Sequence, residues 1–483
     1  MLSLHNPMNI KETNRCLSAC LLLVLSACAE ERSEEQVRIT VTCAAATLDV
    51  MKSTSCSANA TDADGRPVDV GSLSWSSSDG ELAGVDLTGR VTARARGTVT
   101  IQATAFSTRY DVLPGDATLN VQGLLHSGRI TAPETWRAAD NPHVVSSTLT
   151  VAGANDPQLT LEAGVVVRFL PRVKLEVGGT ETGILSVEGT EASPVLLTSD
   201  DTDAASESLF WEGILVYQHS SIRLHHAVIE GVNGNSLGGA LYVNGSLLAD
   251  NVTVRRCLGG AYLLDGGTFA PGSTKLRVNG CGHPLWIRAD EVGSIPTDSE
   301  FTDNESNAVF VHGGVVEHSQ TWPNLGVPYV MRSDLLVGHP DSRSVLTLVP
   351  GTEIRMAANR EVWVDFQGSL VARGTATRPI RFVANASTPS PGFWMGLRFG
   401  EAWGSSLEHV SVSHAGPAAL TVHQELGAFV TRSEFTHSSG CGLLRAPEVT
   451  TDFTRAEYGN TFSDNALGAQ CPLLDDPGAR PTR

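Results

Sequence analysis

The sequence predicts an all-β protein in two parts, a small β-sandwich followed by a solenoid of short strands with an internal duplication. Apolar residues alternate in short runs divided by turn signals, and no amphipathic helix of useful length interrupts them. Glycine is abundant at 47 residues, while Val, Thr and Leu dominate the patterned regions, a composition that favours strands joined by tight turns. One stretch is used twice: FWEGILVYQHSSIRLHHAVIEG at 210–231 and FWMGLRFGEAWGSSLEHVSVSHAG at 393–416. Trp211 and Trp394 lie 183 positions apart, as do His226 and His409.

A chain of 483 residues is too long for one ordinary core, and 41% apolar residues suffice to fold it as two or more domains. The formal net charge is -18, or -19 without residues 1–27, which hold Lys11, Arg15 and Glu12. Such a surface repels phosphate backbones, so nucleic acid is excluded as an expected partner. Polyanionic glycans are disfavoured for the same reason unless a metal ion bridges the charges. Keeping an exported protein soluble is the simplest role for the charge.

Residues 1–27 read as a signal peptide. Lys11 and Arg15 make a positive region, and Leu21-Leu22-Leu23-Val24-Leu25 is an apolar run too short to span a bilayer. The run ends in Leu25-Ser26-Ala27-Cys28, which resembles the lipobox of bacterial lipoproteins. That resemblance implies acylation of Cys28 as the first mature residue and anchoring by buried acyl chains. Leu17-Ser18-Ala19-Cys20 has the same letters but lacks a preceding apolar run. Residues 28–36, including Glu30-Glu31-Arg32-Ser33-Glu34-Glu35, read as an acidic tether. Ala29 after the cysteine, by resemblance to Gram-negative lipoproteins, points to the outer membrane or cell surface.

Residues 37–123 form the expected sandwich. Val37-Arg38-Ile39-Thr40-Val41 and Leu73-Ser74-Trp75-Ser76 alternate as half-buried strands do, 91–93 and 99–105 add further strands, and Asp62-Ala63-Asp64-Gly65 is a turn signal. The stretch from Ser74 to Ala105 resembles the group 2 bacterial immunoglobulin-like domain through Trp75, Ser78-Asp79, Val85-Asp86, Gly89, Val91, Ala93, Gly97-Thr98 and Ile101. Trp75 is expected in the core and Gly89 and Gly97 in turns. Domains of this kind serve as spacers or adhesion modules, which leaves the ligand open.

Residues 124–475 hold the duplication, with copies at about 126–313 and 319–471; residues 476–483 read as a disordered tail. Glu134-Thr135-Trp136 matches Gln320-Thr321-Trp322, and Leu159-Thr160-Leu161 matches Leu346-Thr347-Leu348, at offsets of 186 and 187. Gly183-Ile184-Leu185-Ser186 matches Gly368-Ser369-Leu370-Val371 at 185. Phe301-Thr302-Asp303-Asn304 matches Phe462-Ser463-Asp464-Asn465 at only 161, so the second copy lacks about one coil near its end. Short strands are expected at 165–169, 173–177, 184–187 and 195–198. The region resembles right-handed parallel β-helix proteins of the pectin-lyase type, in particular surface proteins with a W-x-G-I/L strand, a Ser-Ser turn and a strand such as LEHV. At roughly 22–25 residues per coil it would hold about 15 coils over ~70 Å.

Nine cysteines divide unevenly. Cys16, Cys20 and Cys28 belong to the N-terminal apolar stretch, which leaves six for disulfides in an exported chain. Cys43 and Cys56 fall on the expected first two strands of the sandwich and can pair there. Cys257 and Cys281, 24 apart, can bridge adjacent coils, and Cys441 and Cys471, 30 apart, can bridge one longer coil at the solenoid end.

Asp200 and Asp201, with Asp203 and Glu207, form the best acidic cluster, suited to calcium or to a carboxylate pair. A solvated loop explains them better, because the second copy has Ala384-Asn385-Ala386 there. Lyases on the resembled fold use a basic residue as base, and Arg255 in the pair Arg255-Arg256 is the candidate here. His225-His226 and His409 invite a metal or catalytic role, but the recurrence of His226 as His409 reads as a structural ladder position on a strand. Trp211 and Trp394 read as corner packing in preference to sugar platforms. Asp303-Asn304-Glu305 and Asp464-Asn465 read as turn residues with asparagine ladders. Gly282-His283-Pro284 departs from the Gly-His-Gly motif of polygalacturonases, and GxSxG and HExxH are absent. The expectation is therefore a lipid-anchored surface protein presenting a β-helix to a polysaccharide or a surface protein, with no cofactor. A calcium-dependent polysaccharide lyase using Asp200, Asp201 and Arg255 is the alternative, and a purely structural envelope role a third.

Overall fold

Alternating strands that each bury one face must stack against something, and this chain does so in two ways. The computed structural model describes residues 35–200, 210–233 and 238–473. In the first part, Glu35–Cys43 pairs antiparallel with Ser53–Thr61 and parallel with Tyr110–Leu113, and Arg90–Ala93 and Ala83–Val85 complete a five-stranded sheet. Thr47–Asp49, Gly115–Gln122, Gly97–Ala105 and Leu73–Ser77 make the opposing four-stranded sheet. Val37, Ile39, Val91, Ala93, Val99, Ile101, Ala103, Leu119 and Val121 fill the space between them.

Two details differ from expectation. Trp75 lies half-buried at the margin of the core, against Gly89, where a Cβ would come within 2.8 Å of the indole and 2.5 Å of the Cys56 carbonyl. Gly89 is thus required by a close approach as well as by its φ of 81°. Cys43 and Cys56 do form a disulfide, but on the first and third strands, because the short strand Thr47–Asp49 intervenes.

From Leu124 onward the strands coil in parallel. Inward residues align into three ladders, as expected where equivalent positions stack one rung apart. The first face runs His143, Val167, Leu197, Ile229, Val254, Val278, Phe301. A second face runs Leu149, Leu175, Ile214, Leu241, Ala261, Leu285, Val309. The third runs Leu159, Leu185, Ile222, Leu247, Phe269 and gives way to the 3-10 turn Ala289–Ser294. Nearly all of these side chains are fully buried in one continuous core. The architecture is that of a parallel β-helix solenoid.

Rung spacing on the second face varies from 20 residues, Leu241 to Ala261, to 39, Leu175 to Ile214. That range is wider than expected because corner loops absorb insertions without disturbing the ladders. Counting from Gly128, this ladder has fourteen rungs in the described residues, the last at Phe462. The second copy supplies six of them, from Tyr329, against seven first-face rungs in the first copy, so it is one coil shorter.

The corners depend on left-handed residues. Arg256, Gly280 and Asp303 turn the chain from first to second face in the first copy; His414, His437 and Asp464 make the corresponding bends in the second, where they follow strands of the second-face ladder, all with φ between 54° and 62°. His226 and His409 belong to another corner, with φ of 45° and 50°. They are bend residues, not the strand residues that the sequence suggested, because the chain must enter the left-handed region to change face. Asn304 and Asn465 brace equivalent bends: each side chain accepts the amide N–H of the previous coil (Cys281, Ser438) and donates to a carbonyl there (Val278, Phe435).

The sandwich lies against the flank of the early coils. Lys52 pairs with Asp200 at 2.7 Å, Asp49 with Arg168 at 2.5 Å, and Arg96 with Asp140.

Candidate functional site

The acidic cluster does not assemble with Arg255. Asp200 is held by Lys52 of the sandwich, through both its carboxylate (2.7 Å) and its carbonyl (3.2 Å). Asp201, Asp203 and Glu207, like Cys28, lie outside the described residues. Arg255 donates to Glu230 one coil below at 2.7 Å, and Glu230 accepts from Thr198 one coil further down. Asp200 and Arg255 are thus each tied to a structural partner of their own. Among the described residues no group of three or more His, Cys, Asp or Glu is arranged to hold a metal ion. His225 bonds Asp250 at 3.2 Å along a ladder. Trp211 and Trp394 are fully buried, their indoles donating to the carbonyls of Glu230 and Ser413, so neither offers a face to a ligand.

A different set of residues converges on the outside of the second face. Tyr242, Tyr262, Trp286 and Phe310 occupy one outward register position on four successive coils. Their strands read Leu241-Tyr242-Val243, Ala261-Tyr262-Leu263, Leu285-Trp286-Ile287 and Val309-Phe310-Val311, so each ring is flanked by two side chains that anchor inward. The rings lie nearly parallel, with centroids 6.4, 5.7 and 5.2 Å apart along the stack. These separations exceed the rung spacing of ~4.8 Å, so the rings overlap like roof tiles, with part of each left open. All four are partly exposed. The spacings of 20, 24 and 24 residues are one coil each, a periodicity visible in the sequence and missed there.

Neighbouring residues set the stack in place. A Cβ on Gly239 would fall 2.3 Å from the Tyr262 ring, so glycine is what allows the ring to lie flat there. His283, in the corner entering Leu285–Arg288, packs edge-on against Tyr262, Trp286 and Phe310, and its Nε2 meets the Tyr262 hydroxyl. Burial holds the His283 imidazole below its ordinary pKa and pushes the Tyr262 phenol up to about 12, so both are neutral at pH 7. Arg332 lies over the Trp286 ring at 5.4 Å. The Trp286 indole N–H is buried with no hydrogen-bond partner, a cost of about 1–3 kcal/mol that packing alone does not require.

Beside the stack, the corner preceding it opens into a cavity of about 380 Å3 over the Cys257–Cys281 disulfide. Phe210, Arg256, Leu258, Asp303 and Glu305 contribute to its walls, and Leu258 is 50% exposed. Polar groups of both signs thus flank a neutral aromatic surface. That combination suits a polyhydroxylated ligand, which needs apolar contact for ring faces and hydrogen bonds for hydroxyls.

The Cys257–Cys281 and Cys441–Cys471 disulfides tie neighbouring coils, with sequence separations of 24 and 30. No helix among the described residues is long and apolar enough to cross a membrane. Residues 36–110 match the family model of the bacterial Ig-like domain (group 2). No curated protein matches the chain.

Proposed function

We propose that this is a lipid-anchored bacterial surface protein whose β-helix, of the right-handed pectin-lyase type, binds glycan along the Tyr242–Tyr262–Trp286–Phe310 stack. The observation that carries the reading is that stack: four aromatic rings in one outward register, where alternation would place polar residues, flanked by Arg332, His283, Asp303 and Glu305. An acidic chain with a net charge of -18 favours a neutral polysaccharide. Cys28 after Leu25-Ser26-Ala27 supplies the anchor, residues 28–36 the tether, and the outer membrane is the location this leader suggests. The match of residues 36–110 to a bacterial Ig-like domain and the three disulfides support an exported protein.

The test is co-sedimentation of the purified chain, with Cys28→Ser to keep it free of lipid, on insoluble cellulose, xylan, mannan and chitin. Retention on at least one, reduced about tenfold by Trp286→Ala, supports the reading. No retention, or retention indifferent to Trp286, overturns it. Release of new reducing ends in the same assay would point instead to the lyase or hydrolase alternative. In cells, Cys28→Ser should move the protein from membranes to the soluble fraction; an unchanged distribution removes the anchor.

A further inference from the structure

One kind of corner turn is built from different residues in the two copies. In the first copy, the corner after Ala261–Leu263 is closed by a bond from the Gly267 N–H to the Leu264 carbonyl (2.9 Å), across Asp265 and Gly266. The second copy uses the same kind of turn after Glu361–Val364, with the Gly368 N–H donating to the Asp365 carbonyl (2.8 Å) across Phe366 and Gln367, where the duplication places Gly178–Gly183 of the first copy. Both central residues are left-handed in each case: φ is 51° and 99° in the first turn, 50° and 60° in the second. Asp-Gly is what such a turn favours. Phe-Gln is not, since a bulky side chain in the left-handed region costs roughly 1–2 kcal/mol. Burial of the ring does not offset that cost, because Phe366 remains 40% exposed.

The strained phenylalanine does not stand alone. On the next coil the same corner carries Trp403, 60% exposed, where the first copy has Ser220 at the 183-residue offset. Trp363, in the strand before the bend, packs 6.3 Å from Phe366 and beneath Arg398 at 5.2 Å. A cavity of about 490 Å3 opens here, lined by Arg343, Val345, Gln367, Ser369, Glu401 and Trp403. Arg343 donates to Gln367 at 3.1 Å, and Ser369 to the Trp403 carbonyl at 2.6 Å, which hold the corner's polar groups in place. The corresponding corners of the first copy carry Gly178-Gly179 and Ser220 with no tryptophan or phenylalanine, so these aromatics are not needed to make the bend.

We infer that this corner is a second sugar-binding platform, in which a neutral pyranose ring stacks on Trp403 and Phe366 while its hydroxyls bond Arg343, Gln367 and Glu401. The inference rests on the glycan-binding reading above and extends it. The strand bearing Trp363 stacks on Leu335–Val337 and Gly314–Val316, a sheet separate from the one that carries Trp286. The two platforms therefore form no single groove, and one molecule joins two glycan segments.

The experiment is calorimetric titration of the purified Cys28→Ser chain with soluble hexasaccharides of β-linked glucose, xylose, mannose and N-acetylglucosamine. Two sugars bound per chain are expected, falling to one in Trp403→Ala and to one in Trp286→Ala. The paired change Phe366→Asp and Gln367→Gly should raise the melting temperature, because it installs the Asp-Gly pair of the Leu264–Gly267 turn, and still abolish the second site. A stoichiometry of one in the unaltered protein, or of two in both corner variants, overturns the second platform and leaves the first standing. No binding of any of the four sugars overturns both.

Discussion

Val309 pairs in parallel register with Tyr329, and this pairing sets the second copy one face out of step with the first. By sequence Tyr329 corresponds to His143, which begins the first face. Val309, however, belongs to the second face. Every later first-face equivalent, Ile354, Phe382 and Val412, therefore continues the second-face ladder. The first face ends at Glu300–Thr302 among the described strands. Residues that correspond between the copies thus point to different sides of the solenoid.

Tyr329 secures this step. It is fully buried, and its hydroxyl donates to the Pro323 carbonyl at 2.6 Å. Tyr329→Phe should cost about 1–2 kcal/mol, since it leaves a buried carbonyl unpaired without opening a large cavity. Chemical denaturation checks this, and a neutral result would mean that the hydroxyl does not brace the junction.

Stability should depend on pH at the opposite end. His126 stacks on Trp136 at 3.8 Å and its Nε2 meets His143 Nδ1 at 2.9 Å, with Glu134 4.0 Å away. Burial, and then the neighbouring His143, lower the His126 pKa to about 4; burial also lowers that of His143. Above pH 6.5 the imidazole is neutral in folded and unfolded chains alike. As the pH falls from 6.5 towards 4 the unfolded chain takes up the proton and the folded one does not, so stability is lost across that window and levels off below it. Allowing for partial solvent exposure, the loss is about 2 kcal/mol. Urea midpoints measured from pH 8 to 4 should show it, and His126→Phe should flatten the profile.

Cys257 and Cys281 are paired in register on adjacent coils beside the aromatic stack. Cys257→Ala with Cys281→Ala should cost about 3 kcal/mol by loop entropy for a closed loop of this length. Calorimetry checks the stability. If the cavity over the bridge contributes to the first platform, glycan retention should weaken in the same variant.

The sandwich and the early coils are joined by Lys52–Asp200, Asp49–Arg168 and Arg96–Asp140. Such partly exposed pairs contribute about 0–1 kcal/mol each and weaken with salt. Arg168→Ala should leave the unfolding of the solenoid within about 1 kcal/mol of its original value. Hydrogen exchange near Gly123, where the chain passes between the two parts, should accelerate in that variant and, in the unaltered protein, in high salt.

Much of the fold was legible because its physics is local. Alternation at Val37 to Val41 announced a half-buried strand, and repeated spacings near one coil announced the stacking of Cys257 on Cys281. The site was less so. Asp200 and Arg255 drew attention as charged groups, but each proved to be held by a partner that is remote in sequence, Lys52 and Glu230. The aromatic positions Tyr242, Tyr262, Trp286 and Phe310 were readable at intervals of one coil, yet spacing alone does not say which face of the solenoid a ring occupies. His226 looked like a strand residue because its left-handed bend leaves no mark in residue type.

Composition, alternation and self-similarity are properties of the chain, and they were enough to establish an all-β protein with a sandwich, a coil of strands and a duplication. The rotation of the second copy, the exposure of Trp403 against the burial of Trp211 and Trp394, and the engagement of Asp200 by the sandwich came only with the folded molecule. Each depends on which strand lies beside which, and so on long-range packing, where a slip of one face keeps every local pattern satisfied while redirecting every side chain.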